Sequence, residues 1–323
     1  MNRSQTQAQH AVVSIVVVSY NTKDMTLECI RSILTETKCG FELIVYDNAS
    51  SDGSAQAIAD EFPETKLIAS EVNHGFAKAN NIAAGQVSGK YLLLLNPDTV
   101  VLNGAIDKLV SFAGSRPEAR IWGGRTLYGD QSLNPTNCWG RMTLWSVTCQ
   151  AFGLTSLFRD SALFNPEGYG GWPRDTERAV DIVSGCLFLI ERDLWNQLGG
   201  FDPAFTMYGE EADLCLRARA IGAHPRITPD AEIVHYVGAS TKVRANKLIM
   251  LLKAKVTLIH RYFPEWQRAP GVLLLTCWPL SRMVGARILW AMFRKPKWKA
   301  TQLAWTDVWK ARSEWRGGYS QVQ

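Results

Sequence analysis

Apolar and polar positions alternate along this chain in blocks whose period switches between strand and helix. Val12–Val18 is an apolar, largely β-branched run, the pattern of a strand covered on both faces. Leu27, Ile30 and Leu34 then recur at helical spacing, and Leu43–Tyr46 predicts the second strand. The turn-rich stretch Asp47–Gly53 leads into a helix over Ala55–Phe62, with Ser51, Asp52 or Ser54 as its cap. Lys66–Ala69 reads as a third strand, Ala77–Ala84 as a helix, Tyr91–Leu95 as a fully apolar fourth strand and Ala105–Phe112 as a helix. Such alternation predicts an α/β layer fold with a mostly parallel sheet. The regularity fades after Pro117. Residues 126–178 read as loops and short elements, Val180–Ile190 as a strand, and Asp213–Ile221 as a helix closed by Gly222.

Composition narrows the class. With 46% hydrophobic and 20% charged residues, the 323-residue chain is neither disordered nor fibrous. Seven cysteines without a C-x-x-C pair argue against a zinc ribbon or a disulfide scaffold and for free thiols in a reducing compartment. Ala11–Val18 is too short for a secretory signal and continues into Ser19-Tyr20-Asn21, so it reads as a buried strand. With no run of 18 uninterrupted apolar residues, no clear membrane-spanning helix is expected.

Charge is unevenly spread. Residues 242–323 hold 16 Lys/Arg against three acids, whereas the first 241 hold 19 against 27. The basic segment also carries seven of the twelve tryptophans. Tryptophan and basic residues beside apolar runs fit a membrane interface. A helical tail packed on the body is the alternative, and no recognition motif supports a nucleic-acid partner. The expected organisation is a disordered 1–11, a catalytic domain at 12–241, and a helical, basic, membrane-associating tail at 242–323.

Candidate chemistry gathers where strands end, the place where open parallel sheets bind ligands. The first strand ends in Ser19-Tyr20-Asn21, the second in Asp47-Asn48 and the fourth in Asn96-Pro97-Asp98. Asp47 suits a base or ribose, or caps the next helix. Asp98 suits Mg²⁺ or Mn²⁺, which take one or two carboxylates plus substrate phosphates. Together they favour a phosphate-containing ligand. No G-x-G-x-x-G follows the first strand and no P-loop is present, which argues against dinucleotide dehydrogenases and P-loop enzymes. Glu210, Glu211 and Asp213 open a predicted helix, either as a source of a general base or as a charged first turn favoured by the helix dipole. His235 stands alone in an apolar stretch.

The motifs Ser14–Asn21, Val45–Ser50, Asn73–Asn81, Leu95–Thr99, Val183–Cys186, Gly199–Asp202, Gly209–Cys215 and His235–Ser240 follow in order. Over residues 12–241 this series resembles the inverting family 2 nucleotide-sugar glycosyltransferases of the GT-A fold, near the bacterial rhamnosyltransferases of cell-surface polysaccharide assembly. The resemblance implies a donor such as dTDP-rhamnose or a UDP-hexose and a lipid-linked glycan acceptor. It also implies work at the cytoplasmic face of a membrane, as a peripheral protein held by the tail. Ser19, Tyr20, Asn21, Asp47, Asn73, Lys78, Asn80, Asn96 and Asp98 would lie along the nucleotide sugar. Ser184 and Gly185 would border the sugar and acceptor pocket; apart from the resemblance, Trp139, Trp145, Tyr169 and Trp172 in the loop-rich stretch 126–178 are candidate sugar-stacking platforms for that pocket, or pack locally. Asp98 and His235 would hold Mg²⁺ or Mn²⁺, and Glu211 would be the base with Glu210 as its rival. Asn96 departs from the family's D-x-D pattern, and Glu211 replaces the usual aspartate. Two other readings stand beside it: a nucleotidyltransferase acting on sugar phosphates, and an inactive carbohydrate-binding scaffold.

Overall fold

The computed structural model describes residues 11–236 and 244–320. The expectations for residues 1–10, for Val237–Ser240 and for the junction at 241–242 lie outside the described residues. Along the chain run β1 (Val13–Ser19), α1 (Lys23–Glu36), β2 (Phe41–Asn48), α2 (Ser54–Glu61), β3 (Lys66–Ser70), α3 (Gly75–Ala84), β4 (Tyr91–Leu95), β5 (Thr99–Val101) and α4 (Ala105–Ser115). Then come β6 (Ile121–Leu127), β7 (Leu133–Asn134), β8 (Cys138–Trp139), α5 (Leu144–Ala151), α6 (Leu154–Leu157), β9 (Arg178–Ala179), β10 (Ile182–Val183), β11 (Leu187–Glu191) and α7 (Arg192–Leu198). The chain continues through α8 (Glu210–Ala220), β12 (Arg226–His235), α9 (Arg244–Tyr262), α10 (Glu265–Phe293), α11 (Pro296–Lys310) and α12 (Arg312–Trp315).

Two compact units result. The first gathers described residues 11–139, 173–206 and 210–236; the second gathers 140–172, 207–209 and 244–320. The stretch 140–172 therefore belongs with the C-terminal helices rather than with the sheet.

In the first unit the sheet runs β3-β2-β1-β4-β11-β6-β12-β5, with β7 on β6 and β9 on β12. The β3-β2-β1-β4 half is parallel. Every residue of β1 and β4 is buried, which explains their unbroken apolar runs. On α1 the buried positions are Thr26, Leu27, Cys29, Ile30 and Ile33. Leu34, expected on that face, is 47% exposed, because the helix turns Ile33 inward instead. Helix α2 starts from Gly53 at φ +80°, not from a side-chain cap; Asp52 accepts from Ser54 N at 3.1 Å one step earlier.

Three strands escape the sequence pattern. Strand β6 carries Gly123-Gly124, and a Cβ at Gly124 would sit 2.1 Å from Ala231 O. Strand β12 contains Pro229 and a register shift between Ile227 and Glu232, which breaks the period-2 signal. Strand β5 is only three residues long.

The second unit packs α5, α9, α10, α11 and α12 around Val147, Leu252, Val256, Ile259, Leu275 and Trp315. A buried polar group fastens it. Lys255 Nζ lies 2.7 Å from Glu167 Oε2, and Ser146 Oγ donates to Glu167 Oε1 at 2.6 Å. Helix α10 is, among the described residues, the one helix long and apolar enough to cross a membrane, with a mean hydropathy of 1.4 over its best window. The sequence pattern passes over this segment because Arg268, Pro270, Pro279, Arg282 and Arg287 interrupt the apolar run without ending the helix. All seven cysteines are free thiols.

Candidate functional site

Register places the strand ends on one edge. Ser19 lies opposite Asp47, and Val17 lies opposite Leu95, so Asn96-Pro97-Asp98 emerges beside both. Antiparallel β11 brings Cys186 to the same place, where Asn96 N donates to Cys186 O at 3.2 Å. Strand β12 ends there too: His235 pairs with Thr99, and Tyr236 N donates to Asp98 O at 3.0 Å.

The expected nucleotide residues divide in two. Ser19 points inward, its Oγ 2.9 Å from Thr26 Oγ1 and 3.2 Å from Thr22 Oγ1 in a buried hydroxyl cluster. Asn80 likewise donates to Phe76 O at 2.9 Å within its own helix. Both serve packing. Asn21, at φ +53°, accepts from Ser51 N at 2.8 Å and staples the two loops that follow β1 and β2. Tyr20, Asn73 and Lys78 are exposed.

Asp47 is 2% exposed, and its Oδ2 accepts from Ser50 N at 3.0 Å. Its Oδ1 is buried and has no hydrogen-bond partner among the described residues, an acceptor that a ligand hydroxyl or N–H would satisfy. Asn48, which the sequence reading placed at the strand end without a role, shapes the neighbouring turn. It donates to Asn73 Oδ1 at 3.0 Å and accepts from His74 N at 2.8 Å. Asn81, also without a role there, exchanges two hydrogen bonds with Phe201 at 2.8 and 2.9 Å and ties α3 to the Gly199–Asp202 turn. Both motifs carried asparagines in turn contexts, the signal for backbone-bridging amides.

Asn96, Asp98, Cys186 and His235 form one cluster. His235 Nε2 lies 3.4 Å from Asp98 Oδ1 and 3.4 Å from Asn96 Nδ2. Burial alone would push the His235 imidazole down, but Cys186 and Asp98 more than reverse this and hold it up at about 10. Its Nδ1 is buried with no partner among the described residues. The Asp98 carboxylate suits a divalent cation, and His235 Nε2 joins it as a ligand only after the imidazole gives up its proton. Among the described residues no three His, Cys, Asp or Glu side chains are placed to hold one metal ion, so a cation here would need most of its ligands from phosphate and water, as Mg²⁺ sites commonly do.

The three acids of α8 separate in role. Asp213 is fully buried and pairs with Arg217 at 2.7 Å. Arg217 also donates to Leu198 O at 2.8 Å and Gly200 O at 2.9 Å, so this acid is a structural anchor. Glu210 is 5% exposed, and burial, then the charge of Glu211, raises its carboxyl well above the usual range. Glu211 is half-buried.

Ser184 N donates to Asn137 O at 2.9 Å, and Gly185 is buried against Phe76. Trp139 pairs with Ile182 across β8 and β10. Trp172 and Tyr169 fall in the second unit, edge-on at 6.0 Å, and Trp145 there donates to Leu163 O at 2.7 Å.

Known proteins match this architecture. Residues 14–167 match the family described as Glycosyl transferase family 2. The N-acetylglucosaminyl-diphospho-decaprenol L-rhamnosyltransferase of Mycobacterium tuberculosis is 27% identical over 286 residues, 80% of this chain and 87% of that protein. The rhamnosyltransferase WbbL of Escherichia coli K12 is 24% identical over 70% of this chain and 83% of its own length. A mannosyltransferase of Pyrobaculum calidifontis, solved with GDP-Man and Mn²⁺, shares the fold at a TM-score of 0.58 and 16% identity, over 96% of this chain and 88% of that one.

Proposed function

We propose that this chain, whose residues 14–167 match the family 2 glycosyltransferases and whose fold is shared with a solved mannosyltransferase, is an inverting glycosyltransferase. It moves a sugar, rhamnose from dTDP-rhamnose or a hexose from a UDP-sugar, to a hydroxyl of a lipid-linked glycan. The printed names of its relatives support rhamnose and a polyprenyl diphosphate-linked acceptor. The observation that carries the reading is the convergence of Asp47, Asn96, Asp98 and His235 at the carboxyl ends of the strands, with a buried Asp47 oxygen that has no hydrogen-bond partner among the described residues.

Asp47 would receive the base or ribose, with Tyr20, Asn21, Asn73 and Lys78 at the rim of the nucleotide. Ser184 and Gly185 border the acceptor. Glu211 takes the proton of the attacking hydroxyl as its oxygen approaches the anomeric carbon from the face opposite the nucleotide, so one displacement inverts that centre. Burial and the neighbouring Glu211 favour the protonated form of Glu210, so Glu210 acts as a base only once it has lost that proton. A divalent cation held by Asp98 and His235, Mg²⁺ or Mn²⁺, would offset the negative charge gathering on the departing nucleoside diphosphate. The basic C-terminal helices would keep the enzyme at the cytoplasmic face of the membrane, where its acceptor resides.

The test is a donor screen with wild type and Glu211→Gln. One nucleotide sugar should stabilise both proteins, and the variant should lose about 10²- to 10⁴-fold in kcat with donor binding intact. Full activity in Glu211→Gln would remove this residue as the base. Failure of every nucleotide sugar to bind would overturn the donor assignment.

A further inference from the structure

The second unit leaves a large amount of apolar surface uncovered, in two strips. The first lies around α5 and α6: Phe152, Leu157 and Leu163 are 70%, 73% and 62% exposed. The second is a face of α10. Trp266, Leu273, Leu280, Val284, Ile288 and Met292 are all exposed. At about 100° per residue these six fall within an arc of about 120°. The buried positions of α10, among them Gly271, Leu275, Pro279 and Ala286, take the opposite side. Both strips belong to the same compact unit, in which α5 packs on α10 and Arg282 Nη2, on the buried side of α10, donates to Ser156 Oγ beside Leu157 at 2.6 Å.

Apolar patches of this extent on a folded surface mark an interaction site. Charge chooses the partner. Arg287, Arg294, Lys295 and Lys297 are exposed along the end of α10 and the start of α11. Arg294 and Lys299 both cover the Trp290 ring, at 4.9 and 4.4 Å. A second copy would bring the same positive charge against itself, whereas an anionic lipid surface attracts it.

We propose that the α5–α6 strip and the exposed face of α10 form one docking surface for an anionic bilayer, in which α10 lies in the interface and Phe152, Leu157 and Leu163 enter the acyl region. The proposal rests on the reading that the C-terminal helices meet a membrane, and adds to it a contribution from residues 140–172. Helix α10 has the length to span a bilayer. Yet α5, α9 and α11 pack along it, and crossing would drag Lys255, Glu167 and the lysines of α11 into hydrocarbon.

The experiment is flotation of the full-length protein with phosphatidylcholine vesicles, with and without phosphatidylglycerol. The variants are Phe152→Ser/Leu157→Ser/Leu163→Ser and Ile288→Ser/Met292→Ser, whose wild-type side chains are all exposed. Wild type should float with the anionic vesicles only, and the triple variant's partition coefficient should fall about 100-fold. Donor hydrolysis in detergent reports that each variant is folded. If the triple variant binds like wild type while the α10 variant does not, the role of 140–172 falls and the membrane reading stands. If wild type binds neither vesicle, both fall. If the bound protein resists alkaline carbonate, α10 spans the bilayer and the interfacial arrangement is overturned.

Discussion

Asp213→Asn should be among the most costly single changes of one or two atoms in the first unit. The Asp213 side chain is fully buried, and its Oδ2 meets Arg217 Nε at 2.7 Å. The same guanidinium holds Leu198 O and Gly200 O, so it clamps α8 to the turn after α7. Asparagine keeps the shape and removes the charge. Removing one partner of a fully buried pair costs about 3–5 kcal/mol. Because the Arg217 side chain is 26% exposed and keeps two carbonyl partners, water offsets part of this, which leaves about 2–3 kcal/mol. At roughly 2–4 °C per kcal/mol, the midpoint of thermal unfolding should fall by about 4–12 °C. Arg217→Met should cost a similar amount, and the double variant should cost at least about 1 kcal/mol less than the sum of the two. Differential scanning calorimetry of the four proteins measures this. A shift below about 1 °C for Asp213→Asn, or strict additivity, would refute the clamp. Since Glu210 and Glu211 occupy the same first turn, kcat should fall in Asp213→Asn as well.

Three other outcomes are expected. Glu210 is a carboxyl whose folded pKa is raised, so its burial costs nothing below the ordinary carboxyl range near pH 4.5 and costs progressively more as pH rises toward the folded value. Glu210→Gln should therefore melt with wild type at pH 4 and above it at pH 8, and equal offsets at both pH values would contradict the assignment. Gly124→Ala would press a methyl group to 2.1 Å from Ala231 O and 2.7 Å from Leu187 Cδ2; soluble yield should collapse, with at least about 3 kcal/mol lost if any protein folds. Lys255→Met leaves Glu167 and its Ser146 bond without their cation in a largely buried place, and a loss of about 2–3 kcal/mol in urea unfolding is expected.

The half of the sheet that carries β1, β2 and β4 was legible because those strands are buried on both faces and so contain almost nothing but apolar residues. The acids at their ends were legible for the same reason, as polar interruptions of an apolar text. Strands β6 and β12 were hidden by what makes them fit: paired glycines against Ala231, and a proline with a bulge. Local patterns also could not tell inward from outward among short polar residues. Ser19 and Asn80 lie in the same motifs as Asp47 and Asn73, yet the first two bond inside the protein. The membership of 140–172 was invisible because it depends on Glu167 meeting a lysine 88 residues away.

The strand order also sets a timetable for synthesis. Strands β3, β2, β1 and β4 are complete within the first 95 residues and can pair as they leave the ribosome. Strand β12 is the last of the sheet to be made, yet it fills the slot between β6 and β5. Until residue 191 has emerged β6 lacks both β11 and β12, and until residue 235 it still lacks β12 while β5 lacks its β12 partner, so an edge of β6 and one of β5 stay open for more than a hundred residues of translation. Bare edges recruit other chains. Gly123-Gly124 on β6 gives such an intruder little side-chain surface to grip, so the residues that admit β12 closely also make the waiting edge less adhesive.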